Sequence, residues 1–192
     1  SGFSHLAEEL QKELGDAANA AEDLSNYVGN SLNKMVEVIT GAGGDVIKFA
    51  GDAILAVFAT SPGNNLAACT LTACRVSLDL LNLDLSAGGV QLSVHSGIGV
   101  GTLLGYHVGG LNGRWEYFIA GPVIEQFGSA EKEAEAGEVV ISSEALVYMV
   151  HGIVACMPKS AVPRALRDIM AADTQSSDKQ HPKQVAIDLE PI

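Results

Sequence analysis

The sixteen residues GGDVIKFAGDAILAVF, Gly43 to Phe58, constrain the fold more than any other part of the chain. Two runs of strand formers, Val46 to Phe49 and Ile54 to Phe58, flank Gly51-Asp52, and a glycine at that point lets the backbone reverse where a side chain would clash. The segment therefore reads as a tight antiparallel hairpin with Asp52 at its tip. Lys48 stands four residues before Asp52, an even spacing that puts both side chains on one face if the strand is regular. A carboxylate carried on a hairpin tip is placed to ligate a metal ion. The pattern alone fits an ordinary hairpin with a solvated aspartate equally well.

Apolar periodicity sets out the rest of the chain. Phe3, Leu6, Ala7, Leu10 and Leu14 make a helical stripe. A second helix is expected from about Ala21 to Thr40, with Leu24, Tyr27, Val28, Leu32, Met35, Val36 and Ile39 at i, i+3, i+4 spacing and Gly41 to Gly44 as its stop. A third, Leu66 to Leu81, turns Leu66, Cys69, Ala73, Val76 and Leu80 inward. Gln91 to Val100 alternates as a strand expected to pair with one beginning near Thr102; Glu116 to Ala120 and Glu138 to Ile141 read as further strands. Ile124 to Ala136 reads as a helix, and Ser142-Ser143-Glu144 as the cap of another. This alternation predicts an α+β fold, a central, mostly antiparallel sheet with helices packed on it. One domain is expected over residues 1–156. Four of the six prolines lie beyond Met157, so 157–192 reads as a polar extension with a short helix near Arg164 to Met170 and a strand at Gln184 to Leu189.

Composition narrows the function. A chain of 192 residues with 47% hydrophobic content can build one sizeable core. A net charge of −12 without any basic run argues against a nucleic-acid partner. It also means that a polyanionic substrate needs a metal, or a partner's basic residues, to offset repulsion. Cys69, Cys74 and Cys156 are too few and too irregularly spaced for a disulfide framework or a zinc site, which points to a reducing compartment, the cytoplasm. No apolar run approaches the ~18 residues that span a bilayer, so direct membrane insertion is not expected.

Four segments then carry a resemblance. Ser1-Gly2-Phe3-Ser4, the Gly43 to Phe58 hairpin, SVHSGIGVG from Ser93 to Gly101 and YFIAG from Tyr117 to Gly121 resemble, in order and approximate spacing, the class III nucleotide cyclase domain. The similarity runs from Ser1 to about Val150 and is greatest to the first catalytic half of soluble, bicarbonate-responsive adenylyl cyclases. It implies the ferredoxin-like sandwich of that family. It also implies conversion of ATP to 3′,5′-cyclic AMP and pyrophosphate in cyclic-nucleotide signalling, with guanylyl cyclase activity the less favoured alternative. In that reaction the ribose hydroxyl attacks the α-phosphate in line, and two Mg2+ ions, or Mn2+, meet the charge that develops. The family holds them between two aspartates, one in a D-x-S-G-F strand end and one at the hairpin tip. By resemblance the second is Asp52, and the first falls two residues before Ser1, outside the sequence. Ser1, Gly2, Phe3 and Gly51 would then face the substrate phosphates.

Such domains work as face-to-face pairs, metal ligands coming from one half and base-reading and transition-state residues from the other. Members carrying the second set have an Asn four residues past Gly121 and an Arg four beyond it; here those positions are Glu125 and Ser129. The base-reading position is Phe118, which has no donor or acceptor. The resemblance therefore implies a metal-bearing half that needs a second cyclase-type domain, from a longer chain or another subunit, and is nearly inactive as a homodimer. Lys48, Gly128 and Phe118 would line the second, degenerate pocket. Bicarbonate-sensitive relatives bind the anion there with a Lys and an Arg; Lys48 matches the Lys, whereas the Arg position is Gly128. The alternative for Lys48 is a surface lysine or a partner of Asp45 or Glu125. The alternative function is an inactive pseudo-cyclase, a scaffold or sensor that dimerises with another cyclase-like domain.

Other features read as structural. The five histidines lack ligand spacing. Gly97, Gly99, Gly101 and Gly105 hint at a phosphate loop, but strand context favours bulges and close packing. Glu131 to Glu138 reads as a solvated helix face. Arg114-Trp115-Glu116 is either an interface anchor or a half-buried loop.

Overall fold

Helix α1 spans Ala17–Gly41 and ends where its glycines require it. The Gly43 N–H donates to Thr40 O and the Gly44 N–H to Ile39 O, each at 3.0 Å, with Gly43 at φ +82°. These are the two reverse bonds and the left-handed residue of a Schellman stop. Packing fixes Gly44 as well, since a Cβ there would stand 2.7 Å from the Phe58 ring. The computed structural model describes residues 17–87 and 90–176; the expected helix of Phe3 to Leu14 and strand of Gln184 to Leu189 lie outside them.

Strands β1 (Asp45–Ala50) and β2 (Ala53–Val57) follow, then α2 (Leu66–Leu81), whose start is capped by Asn65 Oδ1 accepting from the Ala68 N–H at 3.0 Å. Next come β3 (Ser86–Ala87), β4 (Val90–Gln91), β5 (Ser96–Ile98), β6 (Leu104–Leu111) and β7 (Arg114–Ala120). Helix α3 (Pro122–Glu133), β8 (Val139–Ile141), α4 (Ser143–Ala155), a 3-10 turn (Lys159–Ala161) and α5 (Arg164–Ser176) complete the described chain. The α+β class is as expected, and α5 extends past the expected Met170.

Among the described residues the strands form four pairs: β1–β2, β3–β4, β6–β7 and β5–β8. The first three are antiparallel. In the fourth, Ser96 N–H donates to Glu138 O at 3.0 Å and Ser142 N–H to Ile98 O at 2.8 Å, so the bonds advance in the same direction on both strands, the parallel pattern. This corrects the partner expected for β5. The strand after Thr102 pairs instead with β7 through the two-residue turn Asn112-Gly113, a more local closure that leaves β5 to the distant β8.

The chain divides into two units. Of the described residues, one comprises 17–59 with Thr72–Ser96 and Ala134–Val139. Its core is Met35, Ile39, Val76, Leu80, Leu85 and Leu92, with Val46, Ile54, Ala56 and Phe58 of the first hairpin packed against them. Tyr27, Leu32, Met35 and Ile39 of the stripe expected of α1, and Val76 and Leu80 of that expected of α2, are therefore found in or against this core. The other unit comprises, of the described residues, Thr60–Leu71, Gly97–Glu133 and 140–176. Cys69, Ile98, Val100, Val123, Ala130, Ala145, Val150 and Val162 are buried there.

In the second unit α3 lies on β5 with no side chain between them. A Cβ on Gly97 would fall on the Glu131 nitrogen and 2.5 Å from Phe127 O; one on Gly99 would be 3.0 Å from Phe127 N and Val123 O. Close packing, not phosphate binding, is what these glycines serve. Gln126 Oε1 ties the same elements together, accepting from the Val100 N–H at 3.0 Å and the Ser142 hydroxyl at 3.1 Å. Ser142 Oγ in turn accepts from the Ala145 N–H at 3.0 Å, the cap expected for α4. Burial pushes the Cys69 and Cys74 thiols up. Among the described residues, no helix is long and apolar enough to cross a membrane.

Candidate active site

The β1–β2 hairpin places Asp52. Ala50 pairs with Ala53, so Gly51 and Asp52 are the whole connection, and the left-handed φ of +65° falls on Gly51 and not on Asp52. A positive φ at the first central residue alone marks a type II′ turn, in which glycine is favoured and the second residue stays in the ordinary region. The Asp52 carboxylate is exposed at the tip.

Lys48 reaches the hairpin surface by a different route from the one its spacing predicts. The ladder shifts register between Val46 and Lys48, so that Val46 pairs with Ala56 and Lys48 with Leu55. On an unbroken strand Lys48 would share the face of Val46, which packs on the core; the extra residue at this bulge turns it to the open face. Strand β1 ends at Ala50, so alternation does not extend to Asp52. Lys48 is exposed and, within its own unit, makes no ion pair with Asp45 among the described residues.

The remaining expected positions lie in the other unit. Phe118 of β7 is 48% exposed and stacks on Tyr106 of β6, ring centroids 5.2 Å apart and planes 20° apart. Glu125 and Ser129 are exposed on α3. Gly128, also on α3, is open: a Cβ there would meet nothing within 4 Å. Thus Gly51, Asp52 and Lys48 share one hairpin, Phe118 and Gly128 belong to a separate unit, and Ser1, Gly2 and Phe3 lie outside the described residues.

Sequence reasoning passed over Tyr106. Its partner was legible, because Leu104, Tyr106 and Val108 alternate opposite Ala120, Phe118 and Glu116 once the Asn112-Gly113 turn is recognised. The result is a largely apolar exposed face, with Leu104, Tyr106, Val108 and Phe118 all 40% exposed or more. An open groove of about 470 Å3, lined by Tyr27, Asn30, Lys34, Glu37 and Ser86 among others, contains none of the expected residues. Among the described residues, no group of three or more His, Cys, Asp or Glu side chains could hold a metal ion.

No protein-family model and no curated protein matches the chain. Solved structures do. The adenylyl cyclase CyaB from P. aeruginosa superposes with a TM-score of 0.53 at 20% identity, over 77% of this chain and 74% of that one. The guanylyl cyclase Cya2 gives a TM-score of 0.53 at 23% identity, over 77% and 72%. The guanylate cyclase domain of RhGC from Catenaria anguillulae, solved in complex with GTP, gives 0.53 at 15%, over 67% and 70%. The chain thus shares the fold of adenylyl and guanylyl cyclase domains.

Proposed function

We propose that this chain is the metal-ligand-bearing half of an adenylyl cyclase, forming cyclic AMP and pyrophosphate from ATP in the cytoplasm when joined by a complementary cyclase-type domain. One observation carries the reading: an exposed carboxylate, Asp52, stands in a two-residue turn of a hairpin within a cyclase-type fold. That oxygen donor suits one ligand position of Mg2+ or Mn2+, and the second carboxylate is assigned upstream of Ser1. Bound there, the metal would lower the pKa of the ribose hydroxyl and offset charge on the phosphates. Gly51 beside it carries no side chain, and a Cβ there would meet nothing within 4 Å, so the approach of a phosphate to the turn is open.

The partner follows from what the chain lacks. The Phe118 side chain cannot hydrogen-bond a base, Glu125 is itself an anion, and Ser129 brings no positive charge to match the charge that develops on the phosphate. The purified chain given ATP, or GTP, with Mg2+ is therefore expected to stay at background. Adding a complementary domain should raise cyclic AMP output by about a hundredfold or more, the worth of restored charge stabilisation. Strong turnover by the chain alone would overturn the reading, and cyclic GMP as the product would move it to guanylyl cyclases. Silence with every complement, despite stable pairing, favours the pseudo-cyclase scaffold or sensor.

Lys48 and Gly128 are assigned to the degenerate pocket. Holding bicarbonate needs its charge matched and its oxygens hydrogen-bonded, which two cations do far better than one. We expect weak bicarbonate stimulation of the assembled enzyme at fixed pH, and several-fold stronger stimulation of Gly128→Arg, whose side chain enters open space. Saturable stimulation of the unmodified enzyme, lost on Lys48→Ala, would show that the partner supplies the second cation.

A further inference from the structure

We propose that Asn112, at the tip of the β6–β7 hairpin, is a site of spontaneous succinimide formation that converts this tip from an amide to an aspartate or isoaspartate. Asn112-Gly113 is the sole Asn-Gly dipeptide in the chain; every other asparagine precedes a residue with a side chain. The two residues form the whole connection between Leu111 and Arg114, with φ of +54° and +71°, the paired left-handed values of a type I′ turn. Both are exposed, and a Cβ on Gly113 would meet nothing within 4 Å, so the turn stands in open space.

The chemistry needs only this dipeptide and water. The Gly113 backbone nitrogen attacks Asn112 Cγ, a C–N bond forms, and the side-chain nitrogen leaves as ammonia. Water then opens the resulting ring at one of its two carbonyls, giving aspartate or isoaspartate. Ring closure needs the Gly113 nitrogen to reach Asn112 Cγ, so the reaction is favoured where the turn can open. Two features make opening cheap. His107 to Glu116 are exposed throughout, and the ladder shifts register between Gly109 and Leu111, directly beside the turn.

The product differs where it matters to this hairpin. A carboxylate appears next to Arg114 in a chain already at −12. Isoaspartate also lengthens the backbone within a two-residue turn, so the Leu111–Arg114 pair can no longer close as before. Trp115, the only tryptophan, packs over Gly110, where a Cβ would stand 3.3 Å from its ring, and therefore reports on the change.

The test is incubation of the whole purified chain in mildly alkaline buffer, followed over time. Peptide mass mapping locates each amide-to-acid conversion, methyl transfer by protein-isoaspartyl methyltransferase counts isoaspartate, and tryptophan emission tracks the turn. Asn112 is expected to convert several-fold faster than any other asparagine, with isoaspartate and the emission change appearing in step. Asn112→Gly keeps a turn that tolerates left-handed residues and should abolish both signals. Conversion of another asparagine first, or an intact Asn112 after others have reacted, would overturn the proposal.

Discussion

Asp52→Ala in the assembled enzyme is expected to lower metal-dependent cyclic AMP formation by roughly a hundredfold or more, while the variant folds as well as the parent. The two halves of this expectation rest on different facts. Activity should fall because the described residues offer one carboxylate at the hairpin tip and no cluster that could take over as ligand. Stability should hold because an exposed turn carboxylate without an ion pair contributes little, within about 0.5 kcal/mol. The carboxylate is the second residue of a type II′ turn with ordinary φ, so alanine meets no backbone strain there. Paired measurements of turnover across a Mg2+ or Mn2+ titration and of thermal unfolding separate the two. Undiminished turnover would remove Asp52 from the site; lost turnover together with a large fall in Tm would make its role structural.

Gly97→Ala is expected to be strongly destabilising for a change that adds a single methyl group. The added Cβ would strike backbone atoms of α3, at Glu131 and Phe127, and backbone cannot rotate aside as a side-chain end can. Helix α3 would have to lift from β5, also straining the hydrogen bonds that Gln126 makes to Val100 and Ser142. Overpacking of this kind costs about 3 kcal/mol or more, which for a chain of this size lowers Tm by roughly 6 to 12 °C. Gly128→Ala is the internal control. It lies in the same helix with open space around it, and should gain up to about 1 kcal/mol from helix propensity. Equal Tm values for the two alanine variants would show that α3 does not rest on Gly97.

The sequence by itself determined what depends on neighbours in the chain. The bounds of α2, Leu66–Leu81, follow from the Pro62 to Asn65 break and the apolar stripe after it. The stop of α1 follows from Gly43 and Gly44, the reversal at Gly51 from its freedom of φ, and the α4 cap from Ser142. Each is set by bonds or steric limits spanning a few residues, and local composition records such limits. Asp52 at a hairpin tip was legible for the same reason.

Tertiary structure decided whatever requires residues far apart. Whether β5 would pair with the next strand or with β8 depended on competition for an edge, which no window of sequence contains. The face on which Lys48 emerges was set by one extra residue at the Val46 bulge, favoured because the regular register would press a charged side chain against the core. The glycines at 97 and 99 carry the same letters as a phosphate loop; only the approach of α3, about thirty residues later in the chain, makes them a packing surface. Local rules fix where the backbone turns. Burial and close contact between distant segments fix which side of each element faces inward.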